Sequence, residues 1–492
     1  MTAVTSCQQA VDRILAVNPS VAWPNNNGHM TLDSRRVGVS GIFVALPGVR
    51  HDGRHYISEA LAQGATLVLA EADGLEAFID AGSEGRVVGV PNLIDVLPDL
   101  AKDFYGDPSQ KMALVAVTGT NGKTSVVEFI GQLLRSLGLK AGCMGTLGSR
   151  LEAAPVEAIN TTPDVVTINH QLADWLRRGV EHVALEASSH ALDQGRLASL
   201  SLHTGVFTNL TRDHLDYHAS EAHYAAAKLS LFEGFSLQRS IFNADDPVAS
   251  RVASVAGASP IGISLEGGEA EVQVVIRSMQ PMILAIQSRW GAAEIALELS
   301  GRFNAFNVAA AVVAVTGLGL DFHEVCAAAE SLRPVPGRME RMVMSGNRLA
   351  VVDYAHTPDA LESALQALRE ETKGRLWVVF GCGGDRDPGK RSLMGQSAAR
   401  WADHIVVTSD NPRSETPEQI IEDVISGCGS QVDVIVDRAE AIRHALGLAA
   451  SGDTVLVAGK GHEDYQDIAG VRLPFSDQKI LFDLQNAEGG RP

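Results

Sequence analysis

Short apolar runs recur along the middle of the chain, and amphipathic stretches lie between them. The run Met112–Val117 (MALVAV) is short and rich in β-branched residues, which is typical of a buried strand in a parallel sheet. The segment that follows, Ser125–Leu139, has apolar residues at helical spacing. Further apolar runs span 182–187, 205–210 and 240–245. This alternation predicts a parallel α/β sheet.

The last part of the chain repeats this pattern. Helical stretches separate apolar runs at 376–381, 404–409, 432–437 and 454–459, which predicts a doubly wound sheet. In such sheets ligands bind beyond the carboxyl ends of the strands. The loops GCGGDRDPGKR, SDNPR and GKGHED follow the first, second and last of these runs. We therefore predict a binding face built from the three loops, and three independent solvated loops are the alternative.

Two polar, turn-rich segments divide the chain into parts of domain size. Tyr105–Lys111 (YGDPSQK) contains Gly and Pro, and Arg333–Arg338 (RPVPGR) contains two prolines and a glycine. Both compositions are typical of linkers. We therefore predict domains over residues 1–110, 111–332 and 333–492.

The segment Val115–Ser125 (VAVTGTNGKTS) contains a glycine turn between the predicted strand and helix. The common phosphate loop, G-x-x-x-x-G-K-[ST], requires glycine where this chain has Val117. The turn still directs backbone N–H groups and the positive end of a helix dipole to one point. Lys123 adds a positive charge for phosphates, and the Thr124 hydroxyl can bind Mg²⁺. The pattern favours ATP or GTP binding over an ordinary glycine turn.

Charge and composition limit the classes of function. The chain has 40 basic and 59 acidic residues, a net charge of −19, which disfavours general binding to nucleic acid. The five cysteines form no C-x-x-C pair, which is typical of reduced, buried thiols in a cytosolic protein. The amino terminus lacks the pattern of a signal peptide. The apolar stretch Val308–Leu320 is too short to span a bilayer and predicts a buried helix. We expect a cytoplasmic protein without membrane insertion.

Polar residues follow the predicted strands of the middle segment. Glu186 stands at a strand end, where a carboxylate commonly holds Mg²⁺ in phosphate-loop domains; a surface glutamate is the alternative. The segment Thr208–His218 (TNLTRDHLDYH) places His214 among charged residues. Zinc is conceivable there, but cysteines and a helical histidine pair are missing, so a role near a magnesium phosphate site is favoured.

Lys228 lies in the alanine-rich helical stretch HYAAAKLSLF. A lysine in such a helix often extends its stem along apolar surface and keeps the ammonium in water. A partly buried lysine beside a metal would instead be unstable as a cation, which favours chemical modification or a partner. The residues alone leave both interpretations open.

The motifs along the chain occur in a characteristic order: TGTNGKTS, EASSHALDQGR, TNLTRDHLDYH, AAAKLSLF, GRFNAFN, GRME, DYAHTPDAL, GCGGDRDPGKR, DNPR and GKGHE. Together they resemble the Mur ligase family, which builds the peptide of bacterial peptidoglycan and whose ATP loop has the T-G-T-N-G-K-[ST] form. The resemblance covers nearly the whole chain, including TLDSRRV and GVRHDGRHYI near the amino terminus. One difference is EASSH, where EVSSH is commoner in the family.

The resemblance implies an α/β fold of three domains: a small UDP-binding domain, a central ATP-binding parallel sheet and a carboxyl-terminal Rossmann-like domain that binds an amino acid. It is strongest to members that add meso-diaminopimelate to UDP-N-acetylmuramoyl-L-Ala-D-Glu. In this family ATP phosphorylates a carboxylate, and the amine of the incoming amino acid attacks the acyl phosphate. A monomer that uses ATP and Mg²⁺ is implied.

The resemblance also implies roles for individual residues. Catalysis would involve Lys123, Glu186, His214 and Lys228. Magnesium would be held by Thr124, Glu186, His214 and Lys228, the last as its carbamate. ATP would contact Gly119, Thr120, Asn121, Gly122, Lys123, Thr124, Ser125, Asn304, Asn307, Arg338 and Asp353.

The two other substrates have matching positions as well. The UDP-sugar dipeptide would contact Leu32, Ser34, Val49, Arg50, His51, Asn160, Thr161, Thr162, Ser188, Gln194 and Arg196. Diaminopimelate would contact Arg386, Asp410, Asn411, Pro412, Arg413, Gly459 and Glu463.

Three alternatives are weaker. Folylpolyglutamate synthase shares the loop but lacks DNPR and the TLDSR segment. A switch GTPase requires an N-K-x-D guanine motif, which this sequence lacks. A lysine-adding relative is disfavoured by the DNPR region alone.

Overall fold

The computed structural model describes residues 6–19, 21–25, 27–48, 51–80, 85–151, 160–255, 257, 259–429 and 431–487. The chain divides into two compact units. The first comprises Met1–Ala116, Gly138–Gly205 and Ser230–Gln238, and the second comprises Val117–Leu137, Val206–Leu229 and Arg239–Pro492.

The first unit begins with a small parallel sheet. Its strands, in spatial order, are β1 (Met30–Thr31), β2 (Ile42–Ala45), β3 (Leu67–Glu71) and β4 (Val87–Val90). The helices of this region are α1 (Cys7–Val17), α2 (Ile57–Ala62) and α3 (Leu93–Phe104). Strand β2 is buried on both faces, as expected for a parallel sheet that is covered on both sides.

The remainder of the first unit contributes five further strands. They are β5 (Ala113–Thr118), β6 (Ala141–Gly145), β7 (Gly148–Arg150), β8 (His182–Glu186) and β9 (Thr204–Phe207). Their spatial order is β9-β5-β8-β6-β7. The helices here are α5 (Val165–Arg177) and α6 (Ser189–Asp193). Strands β5 and β9 both run on into the second unit.

The second unit contains the helix that follows the glycine turn and a mixed sheet. The helices are α4 (Lys123–Ser136), α7 (Glu221–Glu233, which ends in the first unit), α8 (Ala249–Val255), α9 (Arg302–Gly317) and α10 (Phe322–Ala329). The strands are β10 (Arg239–Asn243), β11 (Pro260–Ser264), β12 (Val272–Met279), β13 (Met282–Ser288) and β14 (Gly291–Leu297), in that spatial order. Helix α9 is buried throughout Asn304–Gly317, which confirms the predicted buried helix.

A six-stranded sheet forms the rest of the second unit. Its strands are β15 (Glu340–Met344), β16 (Arg348–Asp353), β17 (Leu376–Phe380), β18 (His404–Val407), β19 (Asp433–Val434) and β20 (Thr454–Ala458). Their spatial order is β15-β16-β20-β17-β18-β19, and β15 is the antiparallel edge. A hairpin follows, with strands β21 (Tyr465–Ile468) and β22 (Val471–Pro474). The helices are α11 (Pro358–Glu371), α12 (Gly389–Trp401), α13 (Pro417–Cys428), α14 (Arg438–Leu448) and α15 (Asp477–Ala487).

Both faces of this sheet are covered, which confirms the doubly wound prediction. Val378 and Phe380 of β17 pack in one hydrophobic cluster with α11 and α12, whereas Trp377 and Val379 pack in another with α14. Successive residues of a strand point to opposite faces, so one continuous apolar run supplies two cores.

Several predicted boundaries differ from the structure. The run 205–210 ends as a strand at Phe207, because the next residues turn towards the glycine loop and bond to it. The run 432–437 forms a strand only over Asp433–Val434, at the exposed edge of the sheet. The predicted linker Tyr105–Lys111 contains a short 3₁₀ helix and buried residues, including Tyr105 itself.

The cysteines and the apolar helices agree with the sequence-based picture. Cys143, Cys326, Cys382 and Cys428 are buried free thiols, and Cys7 is a half-buried one. Within the part of the chain that the structure describes, no helix is both long enough and apolar enough to span a membrane.

Among the described residues, a fully buried ion pair joins the first residues of two helices. Arg438 opens α14 and Asp477 opens α15, and both side chains are inaccessible to solvent. The guanidinium makes two parallel bonds to the carboxylate, each 2.8 Å long. It also donates to the carbonyl of Ala458, at the end of β20, over 2.9 Å. The pair therefore links the starts of both helices to the carboxyl end of β20, an interior strand of the sheet.

Removal of the carboxylate should destabilise this region strongly. In Asp477→Ala the Arg438 cation stays buried without its counter-ion, so we expect the free energy of unfolding to fall by about 3–5 kcal/mol. Glu266→Ala is the matched control, because it removes an ion pair with Arg302 in which both side chains are more than half exposed; we expect a loss below about 1 kcal/mol there. Urea unfolding measures both, and equal losses would contradict the assigned role.

Candidate active site

The glycine turn between β5 and α4 adopts backbone angles that side chains rarely tolerate. Gly119 has a φ of 147° and Gly122 a φ of 88°. A Cβ atom on Gly119 would overlap the Thr208 hydroxyl, and one on Gly122 would lie 2.6 Å from Asn307 Oδ1. Lys123 Nζ donates to the carbonyls of Gly119 and Thr120, both at 2.8 Å. The turn thus has a fixed shape, with an ammonium group folded over it.

The residues after β9 brace this turn. Thr208 Oγ1 donates to the carbonyl of Asn121 over 2.5 Å. The Asn209 side chain accepts from the N–H of Asn121 at 2.9 Å and donates to its carbonyl at 3.1 Å. The motif TNLTRDHLDYH by itself indicated no role for Thr208 or Asn209. Their bonds show that the first residues of the motif support the glycine turn.

Lys228 of α7 is buried beneath the same turn. Its side chain is almost inaccessible, and Nζ donates to the carbonyl of Gly119 over 2.7 Å. The nitrogen also lies 4.4 Å from the centre of the Tyr224 ring. Burial, together with the nearby charge of Lys123, lowers the pKa of Lys228 well below the usual lysine value, although Asp213 opposes the shift. Loss of its proton would leave a nucleophilic amine, and the interpretation of a solvent-reaching ammonium is wrong.

Asp213 is the centre of a charged cluster. Its Oδ2 lies 3.4 Å from Nε2 of His214 and 3.7 Å from Nε2 of His356, and its Oδ1 lies 3.8 Å from Nζ of Lys390. Burial alone would raise the pKa of Asp213. The hydrogen bond from His356 and the charges of His214 and Lys390 outweigh burial and hold that pKa well below the usual aspartate value. The ionised carboxylate therefore collects three basic groups.

Two reciprocal ion pairs flank this cluster. Arg212 Nε lies 3.1 Å from Asp387 Oδ2, and Arg386 Nη1 lies 3.6 Å from Asp216 Oδ2. The loop after β9 supplies Arg212 and Asp216. The loop after β17 supplies their partners of opposite charge, Asp387 and Arg386. Arg386, a predicted amino-acid ligand, is thus held by Asp216.

Arg338, which lines a pocket, contacts Thr124. Arg338 Nη2 donates to Thr124 Oγ1 over 3.0 Å, and its guanidinium lies 4.3 Å from the centre of the Tyr354 ring. Asp353 accepts from the N–H of Met339 at 2.7 Å, and burial raises the pKa of this carboxyl. The predicted nucleotide residues from both sides of the 333–338 segment therefore lie close together.

The pocket comprises about 310 Å³ of space, part of which is open to solvent. Its lining residues are Ser125, Phe129, Glu298, Leu299, Ser300, Asn304, Pro334, Val335, Arg338, Met339 and Arg341. Asn304 Oδ1 accepts from Nδ2 of Asn307 at 3.2 Å. The lining therefore mixes apolar side chains with polar and charged ones.

The three loops at the carboxyl ends of β17, β18 and β20 converge on one rim of the sheet, as the sequence predicts. Gly384 donates its N–H to the carbonyl of Asn411 at 2.9 Å, and Asn411 Nδ2 donates to Glu463 Oε2 at 2.9 Å. Arg413 has a φ of 52° and donates from Nη1 to the carbonyl of Gly384 over 2.6 Å. The alternative of independent solvated loops is wrong.

Two further predicted residues on this rim are fixed by close packing. Gly459 has a φ of 116°, and a Cβ there would lie 2.6 Å from Oδ2 of Asp410. Asp410 is buried and its Oδ1 accepts from the N–H of Asn411 at 2.7 Å. Pro412 lies between Asn411 and Arg413 and precedes the left-handed turn.

A second polar group of residues lies in the first unit, around Glu186. Only 1% of Glu186 is exposed, so it is not a surface glutamate, and its Oε1 accepts from the N–H of Thr146 at 2.8 Å. Thr162 Oγ1 donates to the carbonyl of Glu186 at 2.7 Å, and Arg196 Nη1 donates to the carbonyl of Thr162 at 2.7 Å. Ser188 Oγ accepts from Thr162 Oγ1 at 3.1 Å. No motif in the sequence indicated that Thr146 contacts Glu186.

The remaining predicted substrate residues are less connected. Thr161 Oγ1 accepts from Thr146 Oγ1 at 3.3 Å, and Gln194 accepts from Arg196 Nε at 3.0 Å, whereas Asn160 is exposed. In the small sheet, the predicted positions are the partly buried Leu32, the buried Ser34 and the exposed His51. Val49 and Arg50 lie outside the described residues.

Some of the residues predicted to hold magnesium carry atoms that suit this ion. Within the described ranges, no group of three or more His, Cys, Asp or Glu side chains is placed to hold a metal ion. The buried oxygens of Thr124 and Glu186 are of the kind that Mg²⁺ prefers. The amine of Lys228 fits only after conversion to an oxygen-bearing group.

Comparisons with known proteins give matches along most of the chain. Three family models match: "Mur ligase family, catalytic domain" over 28–105, "Mur ligase middle domain" over 117–315 and "Mur ligase, glutamate ligase domain" over 337–461. The UDP-N-acetylmuramoyl-L-alanyl-D-glutamate–2,6-diaminopimelate ligase of Alkalilimnicola ehrlichii is 44% identical over 477 residues, 94% of this chain and 95% of that protein.

Solved structures agree with these matches. One of a ligase with the same name is 35% identical, with a TM-score of 0.64, and the match covers 97% of this chain and 99% of that one. The MurF ligase of Thermotoga maritima in complex with ADP is 18% identical, with a TM-score of 0.68 and coverage of 94% and 98%, and it shares the fold. The extent of these matches and the identity of the first relative confirm the resemblance drawn from the motifs: the chain belongs to the Mur ligase family.

Proposed function

We propose that this chain is the ATP-dependent ligase that adds meso-2,6-diaminopimelate to UDP-N-acetylmuramoyl-L-Ala-D-Glu in peptidoglycan precursor synthesis. The observation that carries the proposal is the rim where Arg413, Asn411 and Glu463 converge, in a chain 44% identical to a ligase of that name. The ADP-bound relative supports the use of ATP. A cytoplasmic monomer is part of the proposal.

The reaction has two steps. The terminal carboxylate of the dipeptide attacks the γ-phosphorus of ATP, which yields an acyl phosphate and ADP. The amine of diaminopimelate then attacks the acyl carbon, and the tetrahedral intermediate expels phosphate to leave the amide. The Lys123 ammonium and the N-terminus of α4 stabilise the charge of the transferring phosphoryl group.

The proposed domains divide this work. Residues 1–110 bind the UDP-sugar through Leu32, Ser34, Val49, Arg50 and His51. Residues 111–332 bind ATP and the muramoyl dipeptide, and residues 333–492 bind the amino acid. The dipeptide residues are Asn160, Thr161, Thr162, Ser188, Gln194 and Arg196.

The nucleotide residues would hold ATP along its length. The glycine turn and Lys123 bind the phosphates, whereas Asn304, Asn307 and Arg338 lie beside the pocket suited to the base. Asp353 accepts a ribose hydroxyl. Magnesium, held by Thr124, Glu186, His214 and the carbamate of Lys228, would neutralise phosphate charge.

Burial supports the proposed Lys228 carbamate. The neutral amine adds to CO₂ with loss of one proton, and the buried ammonium is replaced by a carboxylate that can bind metal. Glu186 and His214 are the other proposed catalytic side chains, and Asp213 keeps His214 oriented.

Amino-acid recognition is assigned to the rim. Diaminopimelate carries a carboxylate at the end where lysine has none. The Arg413 guanidinium can bind that group with two parallel hydrogen bonds. Arg386 helps to bind the same amino acid, and Glu463 accepts from the distal ammonium. Asp410, Asn411, Pro412 and Gly459 shape the rest of the site.

The first test changes the phosphate loop. In Gly119→Ala the strained φ and the overlap with the Thr208 hydroxyl deform the turn, so we expect ATP to bind about 10-fold or more weakly. Gly138→Ala is the matched control, because Gly138 also has a positive φ but open space around it. Calorimetric titration with ATP measures both, and unchanged binding in Gly119→Ala would refute the loop assignment.

The second test concerns Lys228. Lys228→Ala should lose most activity but stay folded, and short carboxylic acids should restore part of it by supplying the missing oxygens. With ¹³C-bicarbonate, the wild-type protein should give a carbamate carbon resonance that Lys228→Ala lacks. Lys479→Ala, at an exposed position, should keep it. Full activity of Lys228→Ala would exclude the carbamate.

The third test is amino-acid specificity. Arg413→Ala leaves the distal carboxylate unpaired, so kcat/KM for diaminopimelate should fall by a factor of ~30 to several thousand. The weak reaction with lysine should change little. Arg400→Ala removes a 65%-exposed arginine and should affect neither substrate. Equal losses with both amino acids would mean that Arg413 supports the loop instead of reading the carboxylate.

A further inference from the structure

Lys460 is a fully buried lysine on the amino-acid rim, and neither its motif nor the proposed reaction gives it a role. It follows β20, and its side chain has no accessible surface. Its Nζ donates to Glu463 Oε2 at 2.8 Å and to Asn411 Oδ1 at 3.0 Å. It also lies 5.5 Å from the centre of the Tyr465 ring. A lysine so buried cannot touch a substrate from its present place.

The two partners of Lys460 are the residues proposed to bind the amino acid. Asn411 Nδ2 donates to the same Glu463 oxygen at 2.9 Å, so Oε2 receives two donors from the protein. The other oxygen, Oε1, accepts from the Tyr354 hydroxyl at 3.4 Å, a long bond. The protein therefore holds the carboxylate mainly through Oε2, and Oε1 is the more weakly bonded oxygen.

The Asn411 amide is oriented by the same ammonium together with a backbone N–H. Its Oδ1 accepts from Lys460 at 3.0 Å and from the N–H of Asp467 at 2.9 Å. With the oxygen held on that side, the NH₂ group points to Glu463. Without the ammonium, Asn411 Oδ1 and Glu463 Oε2 would each lose one of their two donors.

We propose that Lys460 is a positioning residue of the amino-acid site, which fixes the Glu463 carboxylate so that Oε1 accepts the distal ammonium of the incoming diamino acid. The inference rests on the proposed function, since it names a determinant of the same site. Glu463 is then shared between two ammonium groups, one built into the fold and one brought by the substrate. A carboxylate whose Oε2 is held by two protein donors has a defined direction in which Oε1 can accept the ammonium of the substrate.

The test compares the three substrates. In Lys460→Met the KM for diaminopimelate should rise about 30-fold or more, because one partner of a buried charged pair is removed. The KM values for ATP and for the UDP-sugar dipeptide should stay within about 2-fold, since the phosphate loop is untouched. Lys479→Met makes the same change at an exposed position and should alter none of the three. Equal rises for all three substrates would reduce Lys460 to a packing residue and overturn the proposal.

A double-mutant cycle separates action through Glu463 from independent effects. Glu463→Gln alone should also raise the KM for diaminopimelate. The variant Lys460→Met/Glu463→Gln should be no worse than the more impaired single variant, because both changes remove one arrangement. Additive losses would contradict the proposal. If Lys460→Met fails to fold, Lys460→Gln, which keeps a donor but removes the charge, carries the same comparison.

The result is distinguishable from failure of the proposed function. If the wild-type chain shows no phosphate release that depends on diaminopimelate, the proposed function is wrong. If the wild type uses diaminopimelate and Lys460→Met retains its KM, the function stands and the positioning role is wrong.

Discussion

The proposed nucleotide site depends on the backbone of Gly119, where there is no room for a side chain. Its carbonyl accepts from both Lys123 and Lys228, at 2.8 and 2.7 Å, and a Cβ atom there would overlap Thr208. One carbonyl thus accepts from Lys123 and from the buried lysine beneath the turn. Burial, and after it the like charge of Lys123, lowers the pKa of Lys228. The shape of the loop and the chemistry of Lys228 are consequences of the same close approach.

Ion pairs link the loop that contains Asp213 to loops of the six-stranded sheet. Asp213 contacts His214 on its own loop, and His356 and Lys390 on loops of the six-stranded sheet. The flanking pair of Arg386 with Asp216 places a proposed amino-acid ligand against the same loop. A buried carboxylate among basic groups is stable only while those groups stay in place, so the proposed phosphate and amino-acid sites share their electrostatics.

Much of the fold and of the chemistry was readable from the sequence. Apolar runs such as Leu376–Phe380 supply two cores by simple alternation, and the strand predicted over 376–381 differs from the observed strand by one residue. Gly119 and Lys123 could be proposed as phosphate ligands because a turn between strand and helix constrains residue types locally. Edges were harder: 432–437 has a strand pattern, but an edge position leaves most of it unpaired.

Only the tertiary structure decided which charges meet. Asp213 and Lys460 stood inside recognised motifs without a role, and Thr146 stood outside those motifs. Their partners lie far away in sequence, such as Asp213 with Lys390 and Lys460 with Asn411. Likewise, the sequence left Lys228 open between a solvated and a buried ammonium, and burial under Gly119 resolved this. The sequence by itself determined local periodicity, turn geometry and family. Long-range electrostatics required the fold, because burial and pairing are properties of neighbours that the chain order does not specify.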